Sequence, residues 1–241
     1  MTILSLLLTA AVAASPVPLK AAATYRPDGP PNALVVFLSG DGGWNLGVVS
    51  MAKTLTKEGA AVAALDTPKM LAALDASAPD GCADLGGAIE AFANEERAAL
   101  NVPADAPLIL AGYSSGATAV YIAQAAMAKD AVLGSVALGF CPDMENRRPI
   151  CASGGAAELS VKKIKTGYLY SEASSGLAGF TALQGMIDQV CTADATIAFV
   201  NKIPGATVVP LPKVGHGFSV EKNWMPQYLA AYRDIAGKRT P

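Results

Sequence analysis

The chain has 241 residues, 52% of them hydrophobic and 16% charged, with 18 basic and 20 acidic side chains. That composition excludes a disordered chain and suits one medium domain with a sizeable core. No lysine or arginine run is long enough to follow a phosphate backbone, and aromatics at 6% are too sparse for base-stacking platforms, which excludes a nucleic-acid partner.

Residues 3–14, ILSLLLTAAVAA, make an uncharged apolar run of 12 residues followed by Ser15 and Pro16. The run is too short to span a bilayer as a helix. It has the shape of a secretory leader, with small residues at its end for cleavage. Cleavage near Ala14 leaves residues 15–241 as one domain, exported to the periplasm or secreted, with no integral membrane segment. Export makes disulfides the expected state of the four cysteines, Cys82, Cys141, Cys151 and Cys191. Four cysteines allow three complete pairings, and the sequence does not choose among them. The polar, proline-containing loop between Cys141 and Cys151 favours that bridge, with Cys82–Cys191 as the remainder. No metal site is expected, because there is one histidine and no CxxC spacing.

In chain order, residues 25–32 read as a lead-in loop or edge strand, rich in proline and glycine. Residues 33–38 (ALVVFL) form a continuous apolar run, the mark of a strand buried on both faces. The glycine-rich segment 40–43 breaks it, and 46–58 returns to helical spacing and stops at Gly59. A second buried strand follows at 60–65, which makes a βαβ unit. Residues 67–81 read as a long connection, 82–100 as a helix, 108–111 as a third strand and 115–127 as a helix of small residues. A fourth strand is expected at 132–140, an irregular polar stretch at 141–160 and a fifth strand at 166–170. Then come a helical insertion at 177–190, a helix at 193–203, a sixth strand at 206–211 and a closing helix at 224–235. This alternation predicts a mostly parallel central sheet with helices on both faces. A dinucleotide fold shares the outline, and Asp66 stands where a ribose ligand could. However, segment 40–43 is neither GxGxxG nor a Walker A sequence, and no cofactor is expected.

Gly112-Tyr113-Ser114-Ser115-Gly116 is a GxSxG motif. A buried strand runs straight into it and a helix leaves it, which is the context of a nucleophile elbow and of the three-layer α/β-hydrolase fold. The sharp turn would hold the Ser114 hydroxyl clear at the sheet end. A hydroxyl needs a base to become a nucleophile. The single histidine, His216, follows the last strand between two glycines, 102 residues after Ser114. The order nucleophile, acid, histidine is the order of this fold class. Three carboxylates qualify as the acid that orients the imidazole. Asp188 leads, 28 residues before His216 and with room for one helix and one strand between them. Glu172 stands at a strand end, and Asp194 reads as a helix-start residue facing the dipole. The backbone N–H of Ser115 and that of Asp41 or Gly42 are the expected oxyanion donors. The Asp41 side chain is expected to cap the helix near Trp44 or to meet a cationic part of the substrate.

The segments 38–44 (LSGDGGW), 112–117 (GYSSGA) and 211–218 (LPKVGHGF) together resemble the bacterial virulence protein AcvB/VirJ family. The resemblance covers roughly residues 33–236. It implies an α/β-hydrolase fold and a periplasmic location. It places Ser114 on the nucleophile, His216 on the base, and Asp188 on the acid that precedes a cysteine. It further implies hydrolysis of an aminoacylated phosphatidylglycerol such as lysyl-phosphatidylglycerol, presented at a membrane surface. A secretion-related protein partner in the periplasm is also implied. The expectation is a serine esterase acting on a small-molecule or lipid ester. The alternatives are a general carboxylesterase or lipase, and a non-catalytic secretion accessory on the same fold.

Overall fold

The computed structural model describes residues 17–78 and 81–238, so the expected leader at 1–14 lies outside the described residues. The elements run β1 (Ala23–Tyr25), β2 (Ala33–Leu38), α1 (Leu46–Thr56), β3 (Ala60–Leu65), α2 (Thr67–Ser77) and α3 (Leu85–Ala99). Then follow β4 (Leu108–Tyr113), α4 (Ser115–Ala126), β5 (Gly134–Leu138), β6 (Asp143–Met144), β7 (Val161–Lys163) and β8 (Tyr168–Tyr170). The chain closes with β9 (Phe180–Gly185), α5 (Ala193–Val200), β10 (Thr207–Leu211) and α6 (Met225–Ala236).

Seven strands form the main sheet in the order β1-β3-β2-β4-β5-β9-β10. Only the edge strand β1 is antiparallel to its neighbour. Strand side chains alternate between faces, and β2 shows the result. Leu34, Val36 and Leu38 join one core with α2, α3, α4 and α5, while Ala33, Val35 and Phe37 join a second core with α1 and α6. Both faces are covered, so the central strands are apolar throughout rather than alternating. Helix α4 is buried from Gly116 to Ala125. Gly116 lets the first turn of this helix lie close against β2.

Four expectations are corrected. Residues 67–81 are not a plain connection, because α2 occupies most of them. The Asp66 carboxylate accepts from Lys69 N at 3.1 Å and caps α2, with Pro68 in the first turn, so Asp66 is a helix cap and not a ribose ligand. The expected fifth strand does not enter the main sheet. β8 pairs with β6 and β7 in a separate three-stranded antiparallel sheet. The main-sheet strand is instead β9, inside the segment read as helical. Burial of β9 on both faces removes the alternation that marks a strand in sequence, and Phe180, Ala182 and Leu183 mimic a helical stripe.

The fourth correction concerns the cysteines. The bridges are Cys82–Cys151 and Cys141–Cys191, with Cα separations of 5.0 and 5.2 Å. Cys141 stays at the end of β5, beside the turn that follows β9. The loop beyond it runs to the start of α3. There Ala83 N donates to Pro149 O and Cys151 N donates to Ala83 O, both at 2.9 Å. That short bridge places Cys151 against Cys82, a neighbourhood that loop polarity could not reveal.

Candidate active site

In a parallel sheet, the segments leaving the C-terminal strand ends gather on one edge, where ligands bind. Here Ser39–Gly43 follow β2, Ser114 follows β4, Gly139 follows β5, Asp188 follows β9 and His216 follows β10. A cleft of about 610 Å³ lined by Pro107, Val132, Ala178 and Gly205 lies at the opposite edge, where the same strands begin. It is therefore remote from these groups.

Ser114 has φ 55° and ψ −121°, a strained backbone for a residue with a side chain. The turn closes only because its two flanking residues are glycines. A Cβ on Gly112 would lie 2.2 Å from Gly116 O, and one on Gly116 would lie 2.3 Å from Leu38 O. Both clashes are with backbone, which cannot swing aside. The strain lifts Ser114 Oγ to 2.9 Å from His216 Nε2. His216 Nδ1 lies 2.8 Å from Asp188 Oδ2, and the Asp188 side chain is fully buried. The other carboxylate oxygen accepts from Val190 N at 2.8 Å and Cys191 N at 2.9 Å. The buried Asp188 carboxyl thus has three hydrogen-bond partners, the imidazole and two amides, so none of its burial is left unpaired. An imidazole hydrogen-bonded this way donates through Nδ1, which leaves Nε2 free to accept from the serine hydroxyl.

Glu172 and Asp194 are not part of this chain of contacts. Glu172 pairs with Lys202 at 2.8 Å, and that hydrogen bond holds its carboxyl below the usual glutamate value. Asp194 lies in the first turn of α5, favourable to the dipole as expected.

The loop after β2 passes beside the serine, since a Cβ on Gly40 would lie 3.2 Å from Ser114 Cβ. The loop is pinned through buried Ser39, whose Oγ accepts from Thr67 N at 3.0 Å. The N–H groups of Asp41 and Gly42 belong to this segment. Ser115 N opens α4, where the first amides lack intrahelical acceptors. The Asp41 side chain does not cap the helix near Trp44. Asn45 caps α1 by accepting from Gly47 N at 3.3 Å, and Asp66 accepts from Trp44 N at 3.1 Å. A cap must stand directly before the helix, and Asp41 is too early. It is exposed and borders a cleft of about 730 Å³ with Asp75, Glu145, Arg147 and Arg148.

Two supports escaped the sequence reading. Tyr113 Oη donates to the backbone carbonyl of His216 at 3.0 Å. Burial, then the Asp188 and Asp41 charges, raise the Tyr113 pKa, which keeps the phenol a donor. Gly139, at φ 63°, leaves the imidazole its space, because a Cβ there would come within 3.3 Å of His216 Cε1. A glycine just past a buried strand was the available signal for the second; nothing in the sequence signalled the first.

Asp188, Cys191 and His216 offer ligand-type atoms within 4.8 Å of one another. They do not suit a metal. The Cys191 sulfur is bonded to Cys141, and both imidazole nitrogens already have partners. Metal coordination needs a free thiolate or imidazole lone pair.

The architecture is the α/β-hydrolase fold. No protein-family model matches the chain, and no curated protein matches its sequence. Solved structures do resemble it. Est1E from Butyrivibrio proteoclasticus with ferulic acid bound superposes with a TM-score of 0.56 at 14% identity, over 90% of this chain and 94% of that one. An esterase domain of a Rhodothermus marinus protein gives 0.55 at 14%, over 87% and 90%. An α/β serine hydrolase without a lid from Xanthomonas campestris gives 0.52 at 17%, over 90% and 89%. At these identities the likeness is one of fold.

Proposed function

We propose that the protein is a serine hydrolase that cleaves carboxylic esters. The observation that carries this is the contact chain Ser114 Oγ, His216 Nε2, His216 Nδ1, Asp188 Oδ2, built on a positive-φ elbow. Ser114 Oγ attacks the ester carbonyl carbon as its proton passes to His216 Nε2. Asp188 steadies the imidazolium. The carbonyl oxygen, now an anion, is held by the N–H of Ser115 and that of Asp41 or Gly42, aided by the positive end of α4. The tetrahedral centre collapses, and the alcohol leaves with the proton from His216. A water then gives its proton to His216 and attacks the acyl-serine, which frees the acid and restores Ser114. The reaction needs only acyl transfer.

For the substrate we infer an aminoacyl ester of an anionic lipid, of which lysyl-phosphatidylglycerol is the type. The cleft beside Asp41 supports this, because Asp41, Asp75 and Glu145 can face a cationic acyl group while Arg147 and Arg148 can face a phosphate. Two disulfides support an oxidising compartment, the periplasm or the exterior. Among the described residues, no helix is long and apolar enough to cross a membrane.

A fluorophosphonate probe tests the enzyme reading. Labelling at Ser114 that disappears in Ser114→Ala and His216→Ala is expected. A folded protein that never labels would instead be a binding or secretion-accessory protein. Hydrolysis of lysyl-phosphatidylglycerol, measured beside neutral short- and long-chain esters, tests the substrate. Equal turnover of all of them would leave a general carboxylesterase.

A further inference from the structure

Cys191 is joined both to the acid and to the sheet. Its backbone N–H donates to Asp188 Oδ1, its carbonyl accepts from buried Gln184 Nε2 at 2.7 Å, and its sulfur is bonded to Cys141 at the end of β5. Cys141 is itself anchored, since its carbonyl accepts from Thr118 Oγ1 of α4 at 2.6 Å. The turn 186–192 carries Met186, Ile187 and Val190 exposed at its surface even with the bridge closed, so little apolar packing holds it to the sheet edge. The other bridge, Cys82–Cys151, joins the start of α3 to the loop beyond β6 and touches none of these groups.

We propose that Cys141–Cys191 is a positioning element for Asp188, tying the acid's turn to the strand edge that carries the imidazole pocket, whereas Cys82–Cys151 only stabilises the fold. The bridge acts through two amide donors. Freed, Cys191 N and Val190 N would drift from Asp188 Oδ1, and the carboxylate would lose its aim at His216 Nδ1. The proposal rests on the hydrolase reading for its kinetic consequence but not for its geometry.

The test uses Cys82→Ala/Cys151→Ala, in which Cys141–Cys191 is the only bridge. This variant should keep the wild-type kcat. A water-soluble trialkylphosphine then opens the remaining bridge in folded protein. Phosphine and water give phosphine oxide, and the disulfide takes up the two electrons and two protons to become two thiols. A misaligned catalytic group costs roughly a hundredfold. Opening should lower kcat by about ten- to a hundredfold with KM near its starting value, and reoxidation should restore it. The same opening in a background that also carries Asp188→Asn should cost nothing further, because the acid it positions is already lost. A spectroscopic readout needs no activity. His216 is the only histidine, so the Nδ1–H signal in proton and nitrogen-15 NMR belongs to it alone. The signal should exchange-broaden when the bridge opens and return on reoxidation.

Three results would overturn the proposal: an unchanged Nδ1–H signal, an equal proportional loss in the Asp188→Asn background, or unfolding on reduction as judged by far-ultraviolet circular dichroism. If the double variant does not fold, Cys141→Ala/Cys191→Ala, with Cys82–Cys151 intact, is read against the same criteria. If the NMR signal responds but no ester is cleaved by any form, the positioning stands and the hydrolase reading fails.

Discussion

Gly116→Ala probes the elbow through a single methyl group. The added Cβ would sit 2.3 Å from Leu38 O, 2.4 Å from Ser39 O and 2.7 Å from Leu38 C, where real Cβ contacts essentially never fall below 3.0 Å. All three atoms are backbone at the end of β2, so relief requires moving α4 and β2 apart by about 0.7 Å or more, from the shortfall between those two distances. Overpacking of this kind costs about 1–3 kcal/mol, and the immobility of the partners favours the upper half. With a urea slope of about 1–3 kcal/mol per molar, the unfolding midpoint should fall by about 1 M. The same movement shifts Ser39–Gly42 relative to Ser114. The proposed oxyanion donors would then retreat from the reacting carbonyl, and a displacement near 1 Å can cost about a hundredfold in kcat. Urea titration followed by circular dichroism and ester hydrolysis at saturating substrate measure the two effects. Gly29→Ala is the control, because nothing lies within 4 Å of the added carbon. Wild-type stability together with wild-type kcat in Gly116→Ala would mean that the methyl group is accommodated without moving β2 or the loop that follows it.

Asp188→Asn should lower kcat by roughly three to four orders of magnitude, as loss of a triad acid does, while Glu172→Gln and Asp194→Asn stay within about twofold; a comparable loss in Glu172→Gln would move the acid to the Lys202 pair. Tyr113→Phe removes the donor to His216 O, and a hydrogen bond worth about 0.5–1.5 kcal/mol should cost up to about tenfold in kcat. The pH–rate profile of Tyr113→Phe should keep its shape below pH 10.0, because the raised Tyr113 pKa keeps the phenol protonated there. Glu58 accepts two hydrogen bonds from Arg233 at 2.7 Å, which depresses its carboxyl below 4.5. A depressed carboxylate stabilises above its unfolded pKa and loses that contribution as pH falls through the folded one. Glu58→Gln should therefore be less stable than wild type at neutral pH and converge with it in acid, as thermal melts across pH would show.

What the sequence made legible is what local chemistry decides. The runs at 33–38, 60–65 and 108–111 are too apolar for any place but a sheet covered on both sides, and all three became adjacent central strands. GxSxG could be read because its spacing sits directly between a buried strand and a helix; Gly112 answers a clash within the turn, with Gly116 O, whereas Gly116 answers one with Leu38 of β2. His216 could be read because the chain has no other histidine. Asp188 ranked first on spacing from His216, and the structure brings it to that imidazole. What stayed hidden depends on contacts between segments distant in the chain. β9 looks helical alone because both of its faces are buried, so no polar side betrays the two-residue period. β8 looks like a core strand because Tyr168-Leu169-Tyr170 is apolar, yet Leu169 is exposed and the segment serves a small outer sheet.

The cysteines failed for the same reason, and the failure is informative about the site. The polar, proline-containing loop between them favoured Cys141–Cys151. The pairing follows the sheet instead. β5 and β9 are parallel neighbours, with Leu138 opposite Leu183. The residues just beyond their C-terminal ends must therefore emerge side by side, on the edge where Ser114 and His216 also emerge. A bridge placed there cannot avoid the acid's turn, because Asp188 and Cys191 leave the same strand only three residues apart. Swapping partners would pull Cys191 toward the start of α3 and take both amide donors away from the carboxylate. A variant driven to the alternative pairing, or trapped in it during refolding, should keep much of its sheet and lose the Asp188–His216 hydrogen bond. Near-native far-ultraviolet dichroism without the His216 Nδ1–H signal would identify such a species, and a persisting signal would show that the acid is aimed by its own turn alone.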